Sequence, residues 1–222
     1  MSQINITNVT YEYKNSQTPA VSNINCEFNP GKVYAVVGPS GSGKSTMLSL
    51  LAGLDTPTKG DITFNGTSLK ALNLDRYRRE SIAMIFQMFQ LFPSLTALEN
   101  VCYPLELCSV KPSEARPRAK ALLESVGIKA EQINRFPSNL SGGEQQRVAI
   151  ARSLIAGAKV LLADEPTGNL DAANTKNVMD ILLNLAHKED YCVIIVTHDM
   201  EVAEMADVVL KMRDGRLTQE SV

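Results

Sequence analysis

The sequence lacks the features that mark disulfide-rich, zinc-binding, secreted or membrane-spanning proteins. Its four cysteines form no Cys-x-x-Cys pair, which argues against a disulfide framework and a zinc site and favours a reduced, cytoplasmic chain. Met1–Asn8 is polar and has no signal-peptide core. The longest apolar runs, such as Val33–Val37 and Cys192–Val196, are about five residues long, whereas a membrane-spanning helix needs roughly 20. We therefore expect no membrane span within this chain.

The sequence also lacks an excess of charge of either sign. It has 22 Lys and Arg against 24 Asp and Glu, a formal net charge of −2. This balance argues against a nucleic acid or an anionic membrane surface as a partner. The 222 residues, 44% of them apolar, suit one large domain or a domain with a subdomain.

Short apolar segments alternate with helical patterns along much of the chain. Such short, fully apolar runs are typical of strands covered on both faces, as in parallel sheets. The alternation predicts an α/β fold with a mainly parallel sheet. The predicted strands are Ile4–Thr10, Val33–Val37, Ser81–Phe86, Val160–Ala163 and Val193–Val196, and the predicted helices are Ser45–Ala52, Glu144–Ala156 and Ala172–Ala186.

The middle of the chain has a different pattern. Met88–Asn139 contains no convincing strand but two helical patterns, Thr96–Leu105 and Ser113–Val126, with frequent prolines. Pro117 makes the start of the second helix uncertain. We interpret this stretch as a helical subdomain inserted into the α/β core.

A glycine-rich loop follows the Val33–Val37 strand and precedes a helix. It fits the P-loop pattern G-x-x-x-x-G-K-[ST], in which backbone N–H groups surround a phosphate and the helix N-terminus adds positive potential. Lys44 is expected to bind the β- and γ-phosphates, and the hydroxyl of Ser45 to ligate Mg²⁺. The predicted cradle comprises Gly38, Pro39, Ser40, Gly41, Ser42, Gly43, Lys44, Ser45 and Thr46.

Two carboxylates directly follow the Val160–Ala163 strand. Ligands of open α/β sheets bind beyond the carboxyl ends of the strands. Asp164 is therefore expected to meet the Mg²⁺ held at the P-loop, and Glu165 to act as a general base on an attacking water.

The segment Leu140–Arg147, LSGGEQQR, resembles the signature motif of the ABC (ATP-binding cassette) ATPases. Ser141 with Glu144 also forms a capping-box pattern, and Gly142 and Gly143 expose backbone N–H groups where the next helix begins. Local chemistry alone would indicate only a well-capped helix. The resemblance extends over nearly the whole chain.

The resemblance implies roles for four further residues. Gln87 matches the Q-loop glutamine that touches Mg²⁺ and the attacking water, Asp171 matches the D-loop, and His198 matches the switch histidine that contacts the γ-phosphate. Tyr13 resembles the aromatic residue that stacks on adenine, and Tyr11 is the alternative. The other histidine, His187, lies in a polar stretch and is expected to have no such role.

The resemblance further implies a P-loop NTPase core with N-terminal antiparallel strands, formed by residues 1–86 and 140–222, and a helical subdomain at 87–139. Two such chains would pack head to tail on binding ATP and Mg²⁺, so that Ser141, Gly142, Gly143 and Asp171 of one face the P-loop of the other. A separate transmembrane permease subunit would dock on the helical subdomain, which would put the ATPase at the cytoplasmic face of the membrane.

Several details resemble one branch of the family, the lipoprotein-release, macrolide-export, antimicrobial-peptide-resistance and cell-division ATPases (LolD/MacB/FtsE-like). These are Leu95–Val101, Ala163–Asp171 and a compact C-terminus at Val222. Met88 stands where relatives commonly have a second glutamine after Gln87.

The alternative functions are an ATPase that gates a cell-wall hydrolase through a membrane partner and a soluble ABC ATPase of DNA repair or translation. Phe89, Leu91 and Phe92 either line the permease groove or pack inside the subdomain.

Overall fold

The computed structural model describes residues 2–14 and 18–219 of the chain. Its strands are β1 Ile4–Tyr11, β2 Val21–Phe28, β3 Lys32–Val37, β4 Lys59–Phe64, β5 Thr67–Ser68, β6 Ile82–Ile85, β7 Val160–Asp164, β8 Cys192–Thr197, β9 Val208–Arg213 and β10 Arg216–Gln219. Its α-helices are α1 Lys44–Leu51, α2 Leu74–Glu80, α3 Ala97–Leu107, α4 Pro112–Ser125, α5 Gly142–Leu154, α6 Ala172–Glu189 and α7 Met200–Glu204.

The strands form two sheets, which contain the predicted N-terminal antiparallel strands and the predicted mainly parallel sheet. The first is antiparallel, in the order β2-β1-β4-β5, and comes from the N-terminal part of the chain. The second has the order β10-β9-β3-β8-β7-β6, in which every pairing is parallel except that of the edge strand β10. The predicted α/β fold class is confirmed.

The central strands are apolar throughout because both of their faces are covered. On β8, Val193 and Ile195 belong to the core formed with α3–α6, whereas Ile194 and Val196 belong to the core formed with α1 and the antiparallel sheet. All six residues of β8 are buried. Successive side chains of β8 thus enter two different cores. This explains why the sequence of the strand is apolar throughout and does not alternate with polar residues.

The segment between β6 and α5 contains α3 and α4 and no strand among its residues. Thr96 caps α3 through a capping box with Glu99. Pro117 lies inside α4, which begins at Pro112. The buried apolar residues of α3 and α4 belong to the same apolar cluster as one face of the parallel sheet. The division into residues 1–86, 87–139 and 140–222 stays a prediction.

The order of the parallel strands determines where the predicted site residues lie. β3, β8, β7 and β6 are consecutive neighbours, and their carboxyl ends reach the same edge of the sheet, as the pairs Val37–Thr197 and Asp164–Val196 show. The P-loop follows β3, and His198 follows β8. Glu165 follows β7, and the segment that leads to Gln87 follows β6. Four separate parts of the sequence therefore converge on one edge.

Candidate functional site

The P-loop turns between β3 and α1, and two of its three glycines have little space around them. Gly43 has a φ of 104°, and a Cβ there would lie 2.2 Å from the Ala20 carbonyl oxygen. A Cβ on Gly38 would lie 2.0 Å from the carbonyl oxygen of Met212. These close approaches require glycine and let the backbone wrap tightly around the N-terminus of α1.

Lys44 is buried and its ammonium group lies against the beginning of the same loop. Its Nζ donates hydrogen bonds to the carbonyl oxygens of Gly38, at 2.7 Å, and Pro39, at 2.9 Å. An ammonium group has three donors, so these two carbonyls do not exhaust it. Lys44 thus brings a cation to the helix N-terminus, where an anion is already favoured.

A cavity of about 740 Å³ opens above the P-loop at the carboxyl ends of the strands. Most of the residues predicted to bind nucleotide line it, together with Ala20 and Val196, which the sequence did not point to. Gly38, Pro39 and Ser42 do not line it; Ser42 is buried within the loop, and its Oγ has no hydrogen-bond partner. The lining residues are Tyr13, Ala20, Ser40, Gly41, Gly43, Lys44, Ser45, Thr46, Gln87, Asp164, Glu165, Val196 and His198.

Asp164 faces the P-loop from the end of β7. The Ser45 side chain lies close enough to this carboxylate to influence its pKa. Burial raises the pKa of Asp164, and the nearby charge of Glu165 adds to this, while Ser45 and Lys44 act in the opposite direction. A carboxylate and a hydroxyl side by side are hard oxygen ligands suited to a divalent cation such as Mg²⁺.

Glu165 is held in an unusual backbone conformation. Its φ is 49°, in the left-handed region, and its N–H donates to the Val196 carbonyl oxygen at 2.8 Å. That bond ties the residue to the end of β8. The Oε1 atom of Glu165 and the Nδ1 atom of His198 are 2.7 Å apart. The strained backbone is of the kind found at functional positions, and here it directs a carboxylate toward the cavity.

Gln87 lies in the loop after β6 and lines the cavity. Gly168 separates it from Glu165: a Cβ on Gly168 would lie 3.1 Å from Gln87 Nε2 and 3.2 Å from Glu165 Oε2. Asn169 donates a hydrogen bond to the Gln87 carbonyl oxygen at 3.1 Å. Two polar side chains therefore approach each other across a glycine that leaves room for both.

Of the two candidate tyrosines, Tyr13 lines the cavity and Tyr11 does not. The Tyr13 side chain is half-exposed, and its hydroxyl lies 2.9 Å from Thr46 Oγ1. Tyr11 packs edge-on against Tyr13 and donates its hydroxyl to Asp55. The geometry thus favours Tyr13 as the aromatic platform.

The signature segment begins α5 as a capped helix. Ser141 is the N-cap, Glu144 N–H donates to its Oγ at 3.4 Å, and Ser141 N–H donates to Glu144 Oε2 at 2.7 Å. Among the described residues, the lining of the P-loop cavity includes neither Ser141 nor Gly142 nor Gly143, and it does not include Asp171. The cavity and the signature segment are separate features of one chain.

Asn174 joins the D-loop to the signature helix, a contact that the sequence did not predict. Asp171 caps α6 by accepting a hydrogen bond from Asn174 N–H at 2.8 Å, and the Asn174 side chain donates to the same carboxylate. These hydrogen bonds lower the pKa of Asp171. A Cβ on Gly143 would lie 2.1 Å from Asn174 Oδ1. Gly143 is therefore required for close packing of α5 against α6.

Two polar side chains of α5 also hold the surrounding loops. Gln146 is buried and donates to the Pro166 carbonyl oxygen at 2.6 Å. Arg152 donates through Nη1 to the Gln90 carbonyl oxygen at 2.7 Å and through Nη2 to that of Phe89 at 3.3 Å. No local pattern in the sequence indicates these contacts, because their partners lie 20 or more residues away.

A second cavity, of about 590 Å³, lies beside α3 and the end of α5. Phe92 lines it, is 40% exposed, and packs on Tyr103 with ring centroids 4.7 Å apart. Arg152 lies over the Phe92 ring. Leu91 packs against the large apolar cluster, and Phe89 is half-buried near Gly142. Of the three apolar residues considered from sequence, only Phe92 lines this groove.

A known family covers the segment that carries the P-loop, the signature segment and the acidic strand end. The family described as ABC transporter matches residues 21–168. The chain belongs to the ABC transporter family. This membership confirms the resemblance stated from the signature segment, and the remaining comparisons agree with it.

Three relatives show how far the ABC likeness extends. YclH of Bacillus subtilis (strain 168), described as an uncharacterized ABC transporter ATP-binding protein, is 40% identical over 218 residues, which are 98% of this chain and 96% of YclH. The dimeric post-hydrolysis structure of the ATP-binding cassette MJ0796 with ADP and Pi has a TM-score of 0.88, 37% identity and 98% coverage of both chains. The structure of cbiO1 from Clostridium perfringens, part of the ABC transporter complex cbiONQ, has a TM-score of 0.89, 30% identity and coverage of 97% and 86%.

The ABC protein is therefore the ATP-binding subunit of a transporter, and it is an ATPase. Within residues 2–14 and 18–219, no helix combines the length and the apolar character that a membrane span requires. The roles of the individual side chains follow as proposals.

Proposed function

We propose that two copies of this chain bind two ATP molecules head to tail, each between the P-loop of one copy and the Ser141 edge of the other. The observation that carries this is the separation of the P-loop cavity from the signature segment within one chain. The related MJ0796 cassette forms a dimer. A second helix N-terminus opposite the first would add donors for the γ-phosphate and exclude water.

Four side chains would act on the nucleotide within each half-site. Lys44 would bind the β- and γ-phosphates from the helix N-terminus. Glu165 would accept a proton from the attacking water, His198 would contact the γ-phosphate, and Gln87 would help to position the water. The contacts already described support this assignment: the Glu165–His198 hydrogen bond and the approach of Gln87 to Glu165 around Gly168. Tyr13 would stack on the adenine.

The donor set of the cavity fits Mg²⁺. The Ser45 hydroxyl, the Asp164 carboxylate and the Gln87 amide oxygen are the hard ligands that Mg²⁺ prefers, and we propose that these three residues hold it. When bound, the ion would neutralise negative charge on the phosphate groups. The lining of the cavity supports this set, because Ser45, Gln87 and Asp164 all border it.

We further propose that a separate transmembrane subunit docks in the groove beside Phe92 and Tyr103. Groove recognition of a short amphipathic helix needs an apolar wall, which these two rings provide. This chain would then sit peripherally at the cytoplasmic face of the membrane. From the branch of the family that it resembles, we infer that ATP binding and hydrolysis power export or mechanical transmission through that subunit.

A pair of inactive variants tests the head-to-tail arrangement. Lys44→Ala removes the cation of the cradle, and Ser141→Arg obstructs the signature edge, so each variant alone is expected to lose turnover. Mixing them produces dimers in which one site has both an intact Lys44 and an intact Ser141. Random association should restore about a quarter of the wild-type rate, because half of the dimers are mixed and each has one complete site.

The measurement is phosphate release by each variant alone and by the mixture at equal total protein. Binding of ADP by Ser141→Arg alone serves as the control that the cradle is intact. If the mixture stays as inactive as its components and forms no ATP-dependent mixed dimer, the two motifs do not complete one site in trans.

A further inference from the structure

Gln132 is a buried polar residue in the turn between α4 and α5. It is 8% exposed. Its Oε1 accepts a hydrogen bond from Lys129 N–H at 2.7 Å, and its Nε2 donates to Oε1 of Glu144. Its own N–H donates to the Lys129 carbonyl oxygen. Both the oxygen and the nitrogen of the amide therefore have partners. The Lys129 N–H determines the orientation of the amide, because it needs the amide oxygen as its acceptor.

Glu144 uses its two oxygens for two different partners. Oε1 accepts from Gln132, and Oε2 accepts from Ser141 N–H at 2.7 Å. A capping box needs only the second of these bonds. The first ties the N-terminus of α5 to a turn 12 residues earlier in the chain.

The turn that carries Gln132 is itself fixed to the start of α3. Leu98 N–H donates to the Ile133 carbonyl oxygen, and Ala97 N–H donates to that of Arg135, both at 2.9 Å. Gln132 therefore reaches Glu144 from a rigid support.

The orientation of the Glu144 carboxylate affects the proposed phosphate site because the carboxylate is negatively charged. The carboxylate lies in the first turn of the helix whose N-terminus is proposed to face the γ-phosphate of a partner's ATP. An unrestrained negative charge there would oppose the approach of the phosphate. Both oxygens of this carboxylate are instead engaged within the protein, Oε1 by Gln132 Nε2 and Oε2 by Ser141 N–H, and these two hydrogen bonds restrain it.

We propose that Gln132 is a positioning residue for trans ATP binding: through Glu144 it fixes the Ser141 edge that completes the partner's site. The proposal rests on the proposed function, because it assumes that this edge meets the nucleotide of the second subunit. Gln132 itself would touch no nucleotide.

An exchange of the two side chains tests the hydrogen bond directly. Gln132→Glu places two carboxylates against each other, and Glu144→Gln places two amides together. In the double variant, the amide introduced at position 144 would donate to the carboxylate introduced at position 132. That carboxylate would still accept from Lys129 N–H, and the oxygen of the new amide would still accept from Ser141 N–H. The exchanged pair therefore restores every bond, with the polarity of the one between the two side chains reversed.

The readout is the ATP concentration that gives half-maximal dimerisation, measured by sedimentation with all variants in a Glu165→Gln background. Each single exchange is expected to raise this concentration about tenfold, the effect of one hydrogen bond to a charged group. The double exchange should return to within about threefold of the parent. Binding of ADP to the monomer should stay within about twofold in all four proteins, since the cradle is unchanged.

Thermal unfolding of each variant shows whether it is folded, and Gln132→Met, neutral and similar in size, replaces Gln132→Glu if the latter does not fold. Dimerisation unaffected by loss of the bond, or a double exchange that is folded yet no better than the single ones, would overturn the proposal. The Lys44→Ala and Ser141→Arg mixture distinguishes failure of the head-to-tail arrangement from failure of the role of Gln132. Recovery in that mixture together with wild-type behaviour of Gln132→Glu would reject only the role of Gln132.

Discussion

The Nδ1 atom of His198 lies 2.7 Å from Oε1 of Glu165, which joins the ends of two neighbouring strands across the cavity. A carboxylate can only accept at this distance, so the ring proton lies on Nδ1. The pair couples the proposed base to the residue proposed to contact the γ-phosphate.

The first prediction concerns this pair. His198→Ala should lower ATP turnover about 100-fold, because Glu165 loses the group that orients its carboxylate. ADP binding should change little. The matched control is His187→Ala: His187 contacts Asp207 and does not line the cavity. Steady-state phosphate release measures both, and comparable losses in the two variants would contradict a specific role for His198.

The second prediction concerns Glu165 as the base. Glu165→Gln keeps the size of the side chain and one acceptor oxygen but removes its basicity. Turnover should fall at least about 100-fold, while ATP binding persists and a dimer accumulates. Gel filtration with ATP and with ADP distinguishes the states. A variant that elutes only as a monomer with ATP would argue against ATP-driven closure.

The third prediction compares two adjacent glycines of the signature segment. Gly143→Ala forces the Asn174 side chain from its hydrogen bonds with Asp171, so the free energy of unfolding should fall by about 1–3 kcal/mol. Gly142→Ala meets its nearest atom at 3.7 Å and should change stability by less than about 0.5 kcal/mol. Urea unfolding measures both. Asn174→Ala in the Gly143→Ala background should recover part of the loss, and no recovery would mean that the clash lies elsewhere.

The fourth prediction is a pH dependence of stability at Asp164. Burial raises its pKa in the folded state, so folding favours the protonated form and ionisation at neutral pH costs stability. Asp164→Asn should therefore unfold at a higher temperature than wild type at pH 7. The advantage should shrink as pH falls through the raised pKa and vanish below about 3.9, the ordinary value for aspartate. Calorimetry from pH 3 to pH 7.5 tests this. An advantage independent of pH would point to packing instead.

The sequence predicted the parallel sheet because its central strands are buried on both faces, and an apolar run such as Val193–Val196 has few alternatives in a chain of this composition. It also predicted that Asp164 meets the P-loop, because both follow such strands, whereas the role of His198 came only from the family resemblance. The inferences about the sheet and Asp164 depend only on local pattern and on the rule that parallel strands end at one edge.

The contacts around α5 could not be predicted from the sequence, because local pattern does not reveal them. Gln132, Gln146, Arg152 and Asn174 are ordinary polar residues, and nothing in their immediate neighbours marks them. Each is defined by a partner that tertiary packing brings near, such as the Pro166 carbonyl oxygen for Gln146. Only Ser141 with Glu144 had a local signature, because a capping box is built within four residues.

Arg152 makes α5 a rigid connection between the Ser141 edge and the loop before α3. The helix has 13 residues, about 20 Å of nearly incompressible length, and Arg152 grips the Gln90 and Phe89 carbonyls at its far end. A displacement of the Ser141 end of the helix would therefore act on these two carbonyls at its other end. The amplitude of movement at one end is therefore limited by what the other end permits.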